Sequence, residues 1–347
     1  MDKFLKIISK KNYQLKIILL VLLFGVSQFT AAQCLIEKDL KGVNLAGAEF
    51  NASKIPGTLN KDYVYPNQAD IDYVVALGGN VIRLPFRWER IQPVLFNQLD
   101  PFELRNLKVV VDMAAKKNVC VILDIHNYGT FEKTAIGTDA VPVTAFHDLW
   151  VRLAEQFSDP DKTAFGLMNE PANMTIALWA STAQSTLSEI RKSGAKNIIL
   201  VSGGRWSGAH EWFKKSAGVS NAQAFSELED TLSRTWIEIH QYADSNFSGM
   251  GKECIKPDRF ENFFAPLTTW AEKNKQKLFL GEFGVPPEEN CLVGLSEILN
   301  QISNNDVWRG STYWAAGRWW GNYPFSIQMK NGVEPPQTIA LRKYFVN

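Results

Sequence analysis

A short β-branched run followed by an amphipathic stretch recurs eight times between residues 42 and 345, and this rhythm constrains the chain more than any other feature. The expected strands are Gly42–Ala46, Val81–Pro85, Val119–Ile125, Ala164–Met168, Asn197–Val201, Ile237–Gln241, Leu278–Gly281 and Gly310–Trp314. Helical patterns lie between or after them at Gln68–Leu77, Glu103–Lys117, Ala145–Phe157, Ile176–Ser193, Phe260–Asn274, Leu292–Asn304 and Pro336–Phe345. A fifth crossover helix near Gly208–Ala217 is short and poorly defined. Near-continuous apolar strands that alternate with helices imply a parallel sheet covered on both faces. Eight such units in about 300 residues favour a single-domain (β/α)8 TIM barrel over an open doubly wound sheet. Neither a G-x-G-x-x-G after the first strand nor a P-loop is present to support the open alternative.

Residues 1–32 read as an export signal, with residues 33–347 as the single folded domain. A lysine-rich stretch to Lys16 precedes the apolar run Ile17–Val26 and the small, polar Ser27–Ala32. Thr30 and Ala32 sit at −3 and −1 of a cleavage before Gln33. The apolar run is about half of the ~20 residues a membrane span needs. The expectation is therefore a secreted protein, extracellular or periplasmic, with no membrane partner once cleaved near Ala32. Without the leader's five lysines and Asp2, 32 basic residues face 35 acidic ones. A nucleic-acid binder would carry a basic excess instead.

Four cysteines fit an oxidising compartment. Cys254 and Cys291 flank a helical segment and could pair. Cys120 lies in the apolar run Val119–Leu123, either as a buried thiol or paired with Cys34. No pair has zinc-site spacing, and with only four histidines no metal site is expected.

Function in such a barrel collects where strands end and loops begin, and the expected strand ends are unusually polar. They carry Arg83, His126, Asn127, Asn169, Glu170, His240, Tyr242, Glu282 and Trp314. A charged residue at the end of an apolar strand is costly unless paired or used. Strands four and seven lie on opposite sides of an eight-stranded barrel, so Glu170 and Glu282 face each other across its mouth. Two carboxyl groups roughly 5–5.5 Å apart are the retaining arrangement for glycosidic bond cleavage. One must stay protonated to donate to the leaving oxygen, and the other ionised to attack the anomeric carbon. Arg83 and Tyr242 can hold the nucleophile, Asn169 can bond a sugar 2-hydroxyl, and His126 and His240 can bond hydroxyls or adjust the acid.

Eleven tryptophans exceed what a core needs. Trp206 and Trp314 are expected stacking platforms for sugar rings. Trp319 and Trp320 are open between platform and packing. Trp150, Trp179 and Trp270 sit on helical stripes and read as core, as do His147 and His210.

The segments Gly42-Val-Asn-Leu-Ala-Gly, Ile82-Arg-Leu-Pro, Leu123-Asp-Ile-His-Asn-Tyr, Gly166-Leu-Met-Asn-Glu-Pro, His240-Gln-Tyr, Gly281-Glu-Phe-Gly and Thr312-Tyr-Trp-Ala-Ala-Gly resemble glycoside hydrolase family 5. The likeness runs from about residue 41 to 320, closest to the single-barrel endo-β-1,4-glucanases (cellulases). The resemblance implies functional positions at Arg83, His126, Asn169, Glu170, His240, Tyr242, Glu282 and Trp314. It implies Glu170 as acid/base, Glu282 as nucleophile, retention of configuration and no cofactor. It also places Trp206 at a sugar-stacking position and matches Cys254 and Cys291 to a disulfide. Cys120 matches half of another whose usual partner position, near Met113, lacks a cysteine. The expected partner is a β-glucan polysaccharide, met by a monomer. In the absence of a binding module from this sequence, soluble or amorphous glucan is the expected form. Mannanase or another β-glucanase on the same barrel is the alternative, and a catalytically retired sugar-binding barrel is the non-enzyme alternative. Sequons at Asn51, Asn173 and Asn246 follow strands one, four and six, where glycans would crowd the cleft, and are expected to be unused.

Overall fold

Eight parallel strands pair edge to edge in chain order and close into a barrel. They are β1 Leu40–Leu45, β2 Val81–Phe86, β3 Cys120–Ile125, β4 Thr163–Gly166, β5 Ile199–Ser202, β6 Thr235–Tyr242, β7 Leu278–Gly284 and β8 Trp308–Ala316. The computed structural model describes residues 34–35, 39–303 and 305–346. The expected leader, 1–32, lies outside the described residues. No helix among the described residues is long and apolar enough to cross a membrane.

Helices α1 Gln68–Ala76, α2 Pro101–Ala115, α3 Val143–Gln156, α4 Ile176–Lys192, α5 Glu261–Lys273, α6 Glu289–Ile302 and α7 Gln337–Val346 flank the barrel. Their starts are dictated locally. Asn67 and Asp70 form a capping box on α1, Asp100 accepts from Phe102 and Glu103 N–H ahead of a first-turn proline, and Thr175 caps α4. The expected helix at Gly208–Ala217 is replaced by a single 3-10 turn, Ala209–Glu211, and a one-turn helix, Asn221–Ala224. The buried rings of Trp212 and Phe225 fill that crossover in its place.

Strand residues alternate between two environments, as the pleat requires. Val43, Ile82, Val121, Ile237 and Ile239 belong to the outer core beneath the helices. Leu40, Val81, Ile122, Ala164, Ile198, Leu200, Trp236 and Phe279 cluster together at the amino ends of the strands. Cys34 joins that cluster through a disulfide to Cys120, which decides the pairing the sequence left open. Cys254 pairs with Cys291. Toward the carboxyl ends, the inward positions turn polar: Asn44, Arg83, Asp124 and Glu238 are all buried.

Candidate active site

Strand alternation delivers the polar residues to one end of the barrel. Glu238, His240 and Tyr242 occupy every second position of β6, and Asp124 and His126 do the same along β3 and just past it. Strict alternation would set Glu282 on the opposite face from Gly281. The β6–β7 pairing slips instead: Ile239 lies opposite Leu280, but His240 lies opposite Glu282. This irregularity at Gly281 brings the Glu282 carboxyl beside His240. β4 ends at Gly166, so Asn169 and Glu170 stand on the loop beyond it. Glu170 holds φ +40°, a left-handed conformation costing a non-glycine residue roughly 1–3 kcal/mol.

One oxygen of Glu170, one of Glu282 and a nitrogen of His240 lie within 4.8 Å of one another. The two carboxyls have different partners. Glu282 accepts from Arg83 Nη1 at 2.9 Å and from the Tyr242 hydroxyl at 2.6 Å. Glu170 Oε1 lies 2.9 Å from His240 Nδ1. Arg83 spreads its fork further, donating to Asn44 Oδ1 at 2.9 Å and Asn169 Oδ1 at 2.8 Å, and pairing with Asp124 and Glu238. His126 Nδ1 sits 2.8 Å from Asp124 Oδ2, and its Nε2 lies 3.3 Å from both the Asn169 amide nitrogen and the Tyr128 hydroxyl.

Burial and these partners set the protonation states. Burial raises the Glu170 carboxyl above the usual range, against the pull of the His240 hydrogen bond. Burial alone would depress His240, but Glu282, Glu170 and Glu238 overcome it and raise the imidazole to about 10. Burial holds His126 near 3, a neutral ring. It also lifts Glu49 to about 8, against the Gly47 N–H hydrogen bond. The Glu170–His240–Glu282 group is tight enough to approach a cation, yet both His240 nitrogens already face carboxylates, Glu170 at Nδ1 and Glu238 at Nε2.

The pair opens into a cleft of about 800 Å³. His126, Glu170, Tyr242, Glu282, Trp206 and Trp314 meet there, and His240, Arg83 and Asn169 back them as buried hydrogen-bond partners. Trp206 is 48% exposed, and Trp314 stacks parallel to His126 at 5.5 Å. Trp320 joins the lining, while Trp319 is exposed outside it. Gly249, at φ +70°, presses against the Tyr242 ring, where a Cβ would sit 2.9 Å away.

Two sequence readings change. Asn127 is fully buried and does not line the cleft. Its Oδ1 accepts from Trp88 N–H, and its amide donates to Glu89 and the Thr130 carbonyl, so it braces two loops. His210, read as core, lines the cleft and stacks on Phe247 at 4.1 Å. Among the sequons, Asn173 and Asn246 line the cleft, whereas Asn51 is exposed outside the lining.

Several residues escaped the sequence reading altogether. Tyr128, Tyr323 and Phe247 line the cleft, and Asp124, Glu238 and Glu49 lie buried behind it. For Asp124 and Glu238 a signal existed: each precedes a recognised histidine by two positions, hence on the same face of its strand.

The chain is similar to known proteins over most of its length. The family model "Cellulase (glycosyl hydrolase family 5)" matches residues 41–318. A probable endo-beta-1,4-glucanase B of Aspergillus oryzae is 32% identical over 295 residues, 84% of this chain and 86% of its own. The solved endo-beta-1,4-glucanase from Xanthomonas axonopodis pv. citri is 42% identical, with TM-score 0.85, covering 89% of this chain and 98% of its own. XacCel5A, solved in complex with cellopentaose, is 45% identical, with TM-score 0.86, covering 88% and 99%.

Proposed function

The chain belongs to the cellulase family, glycosyl hydrolase family 5, and from that membership we propose a secreted endo-β-1,4-glucanase that cleaves internal bonds of β-glucan with retention of configuration. The observation that carries this reading is the pair of facing carboxyls, with an oxygen of each within 4.8 Å and different partners on each. Glu170, raised by burial, donates its proton to the leaving oxygen. Glu282, braced by Arg83 and Tyr242, attacks the anomeric carbon to form a glycosyl–enzyme ester. Water, deprotonated by Glu170, then releases the sugar and restores both groups. The short separation supports retention, since inversion uses a wider gap that admits a water.

Asn169 serves the sugar 2-hydroxyl, its carbonyl oxygen held by Arg83 and its amide turned toward His126. Trp314 and Trp206 carry sugar rings on their apolar faces. The β-glucan assignment draws on the relatives named endo-beta-1,4-glucanase and on the cellopentaose complex. Residues 1–32 act as the export signal and 33–347 as the catalytic domain. Two disulfides support an oxidising destination.

The test is product analysis of the purified mature chain on carboxymethyl-cellulose, barley β-glucan and β-mannan, with the first-formed anomer followed by NMR. Fast viscosity loss and β-configured cello-oligosaccharides from the first two, with mannan untouched, are expected. Mannan cleavage alone would replace the substrate, α-configured product would overturn retention, and silence on all three in folded protein would favour a sugar-binding barrel.

A further inference from the structure

We infer that Glu238 is a positioning residue that keeps His240 charged against Glu170 and, through one shared oxygen, ties it to Arg83 and Glu282. The inference rests on the acid role of Glu170 and extends it one residue deeper. Glu238 is 2% exposed, and the cleft lining does not include it. It therefore acts only through its neighbours.

Glu238 Oε1 lies 2.9 Å from His240 Nε2 and 2.9 Å from Arg83 Nη2. The other ring nitrogen, Nδ1, lies 2.9 Å from Glu170 Oε1. A neutral imidazole carries one N–H and can donate to only one of these two carboxyls. Both contacts are satisfied together by the doubly protonated ring. With that ring in place, Glu170 Oε1 accepts from His240, and the acid's own proton is left for Oε2. Without Glu238 the ring would give up its second proton at a lower pH, and a ring left with its one proton on Nε2 would then turn an Nδ1 lone pair on the Glu170 proton.

The surroundings of both groups are charged from several strands. His240 faces Glu170 from the β4 loop, Glu238 on its own strand, Glu282 of β7 at 3.8 Å, and His126 beyond β3. Glu238 faces Arg83 of β2, Asp124 and His126 of the β3 segment, and His240. Glu170 also faces Tyr128. Space for this carboxylate is built into the neighbouring strand: a Cβ on Gly281 would sit 2.3 Å from Glu238 Oε1. The residue before Glu282 must stay small for Glu238 to reach both partners.

The decisive experiment is 15N NMR of the histidine side chains, of which the chain has four, with His240→Gln used to assign the His240 signals. In the parent protein the His240 ring is expected to remain doubly protonated past pH 8. In Glu238→Gln its deprotonation should move down by roughly 1–2 pH units. In the same variant kcat should fall about 10–100-fold with KM nearly unchanged, and a new ionisation should enter the pH profile. A merely structural role would lower Tm and leave the His240 titration in place. A neutral His240 at pH 7 in the parent, or an unshifted titration in folded Glu238→Gln, would overturn the inference. Should that variant not fold, Glu238→Asp keeps the charge but withdraws it by one methylene, and the same downward shift is expected in smaller measure. The NMR result stands apart from the activity: a parent chain inert on β-glucan would sink the enzymatic reading while leaving the ring's charge measurable.

Discussion

The Tyr242 hydroxyl donates to Glu282 Oε2 across 2.6 Å, from the neighbouring strand, while Arg83 takes the other oxygen of the same carboxylate at 2.9 Å. Each oxygen of the proposed nucleophile thus has one buried donor, and the two donors come from β6 and β2. Hydrogen bonds to a charged group contribute about 1.5–3 kcal/mol. Tyr242→Phe removes one of them without opening a cavity. We expect kcat on barley β-glucan to fall roughly 10–100-fold with Tm almost unchanged. An unaltered kcat would show that this bond contributes nothing to the rate.

Asn127 and Trp206 separate bracing from binding. Asn127→Ala leaves the Trp88 N–H and the Glu89 carboxylate short of a buried partner. A loss of about 2–4 kcal/mol is expected, seen as a lower denaturation midpoint. Trp206, half exposed in the cleft, should show the converse. Trp206→Ala should raise KM for β-glucan while denaturation stays at the parent value. Normal stability in Asn127→Ala would return that residue to the substrate-binding set.

Glu49 provides a pH test of stability. Burial lifts its carboxyl from the ordinary 4.5 to about 8. Between those values the native protein holds a proton that the unfolded chain has released, so its contribution is complete below 4.5 and is lost as pH rises toward 8. Glu49→Gln abolishes this linkage. The buried Glu49 Oε1 has no hydrogen-bond partner, so the new amide adds a cost of its own that does not vary with pH. The slope is therefore the readout: Tm of the variant relative to the parent should climb from pH 5 to pH 8, by about 1–2 °C per kcal/mol regained. A parallel pair of Tm curves would refute the protonated Glu49.

Much of this protein is legible in its sequence because the relevant signals are local. The alternation of apolar runs with helical stripes is enough for the barrel, since each strand needs both faces covered. Polar residues at strand ends pointed to Arg83, His126, Asn169, Glu170, His240, Tyr242, Glu282 and Trp314, because an unpaired charge there would be costly. The Cys254–Cys291 pairing is likewise readable along the chain.

What only the tertiary structure decided depends on neighbours distant in the chain. Asn127 follows His126 directly, yet it turns away from the cleft to brace Trp88 and Glu89, loops it meets only after folding. His210 passes for a core histidine until Phe247, from another crossover, stacks on it in the cleft. Cys34 finds Cys120 across 86 positions. The slip of register at Gly281 that turns Glu282 toward His240 is a property of two paired strands, not of either alone. Glu238 shares a strand face with His240 in the sequence, but only the fold brings Arg83 and His240 together on one of its oxygens. A sequence records which residues can carry charge and which can be buried; which charges share a partner follows from barrel closure, which brings strands far apart in the chain within hydrogen-bonding distance.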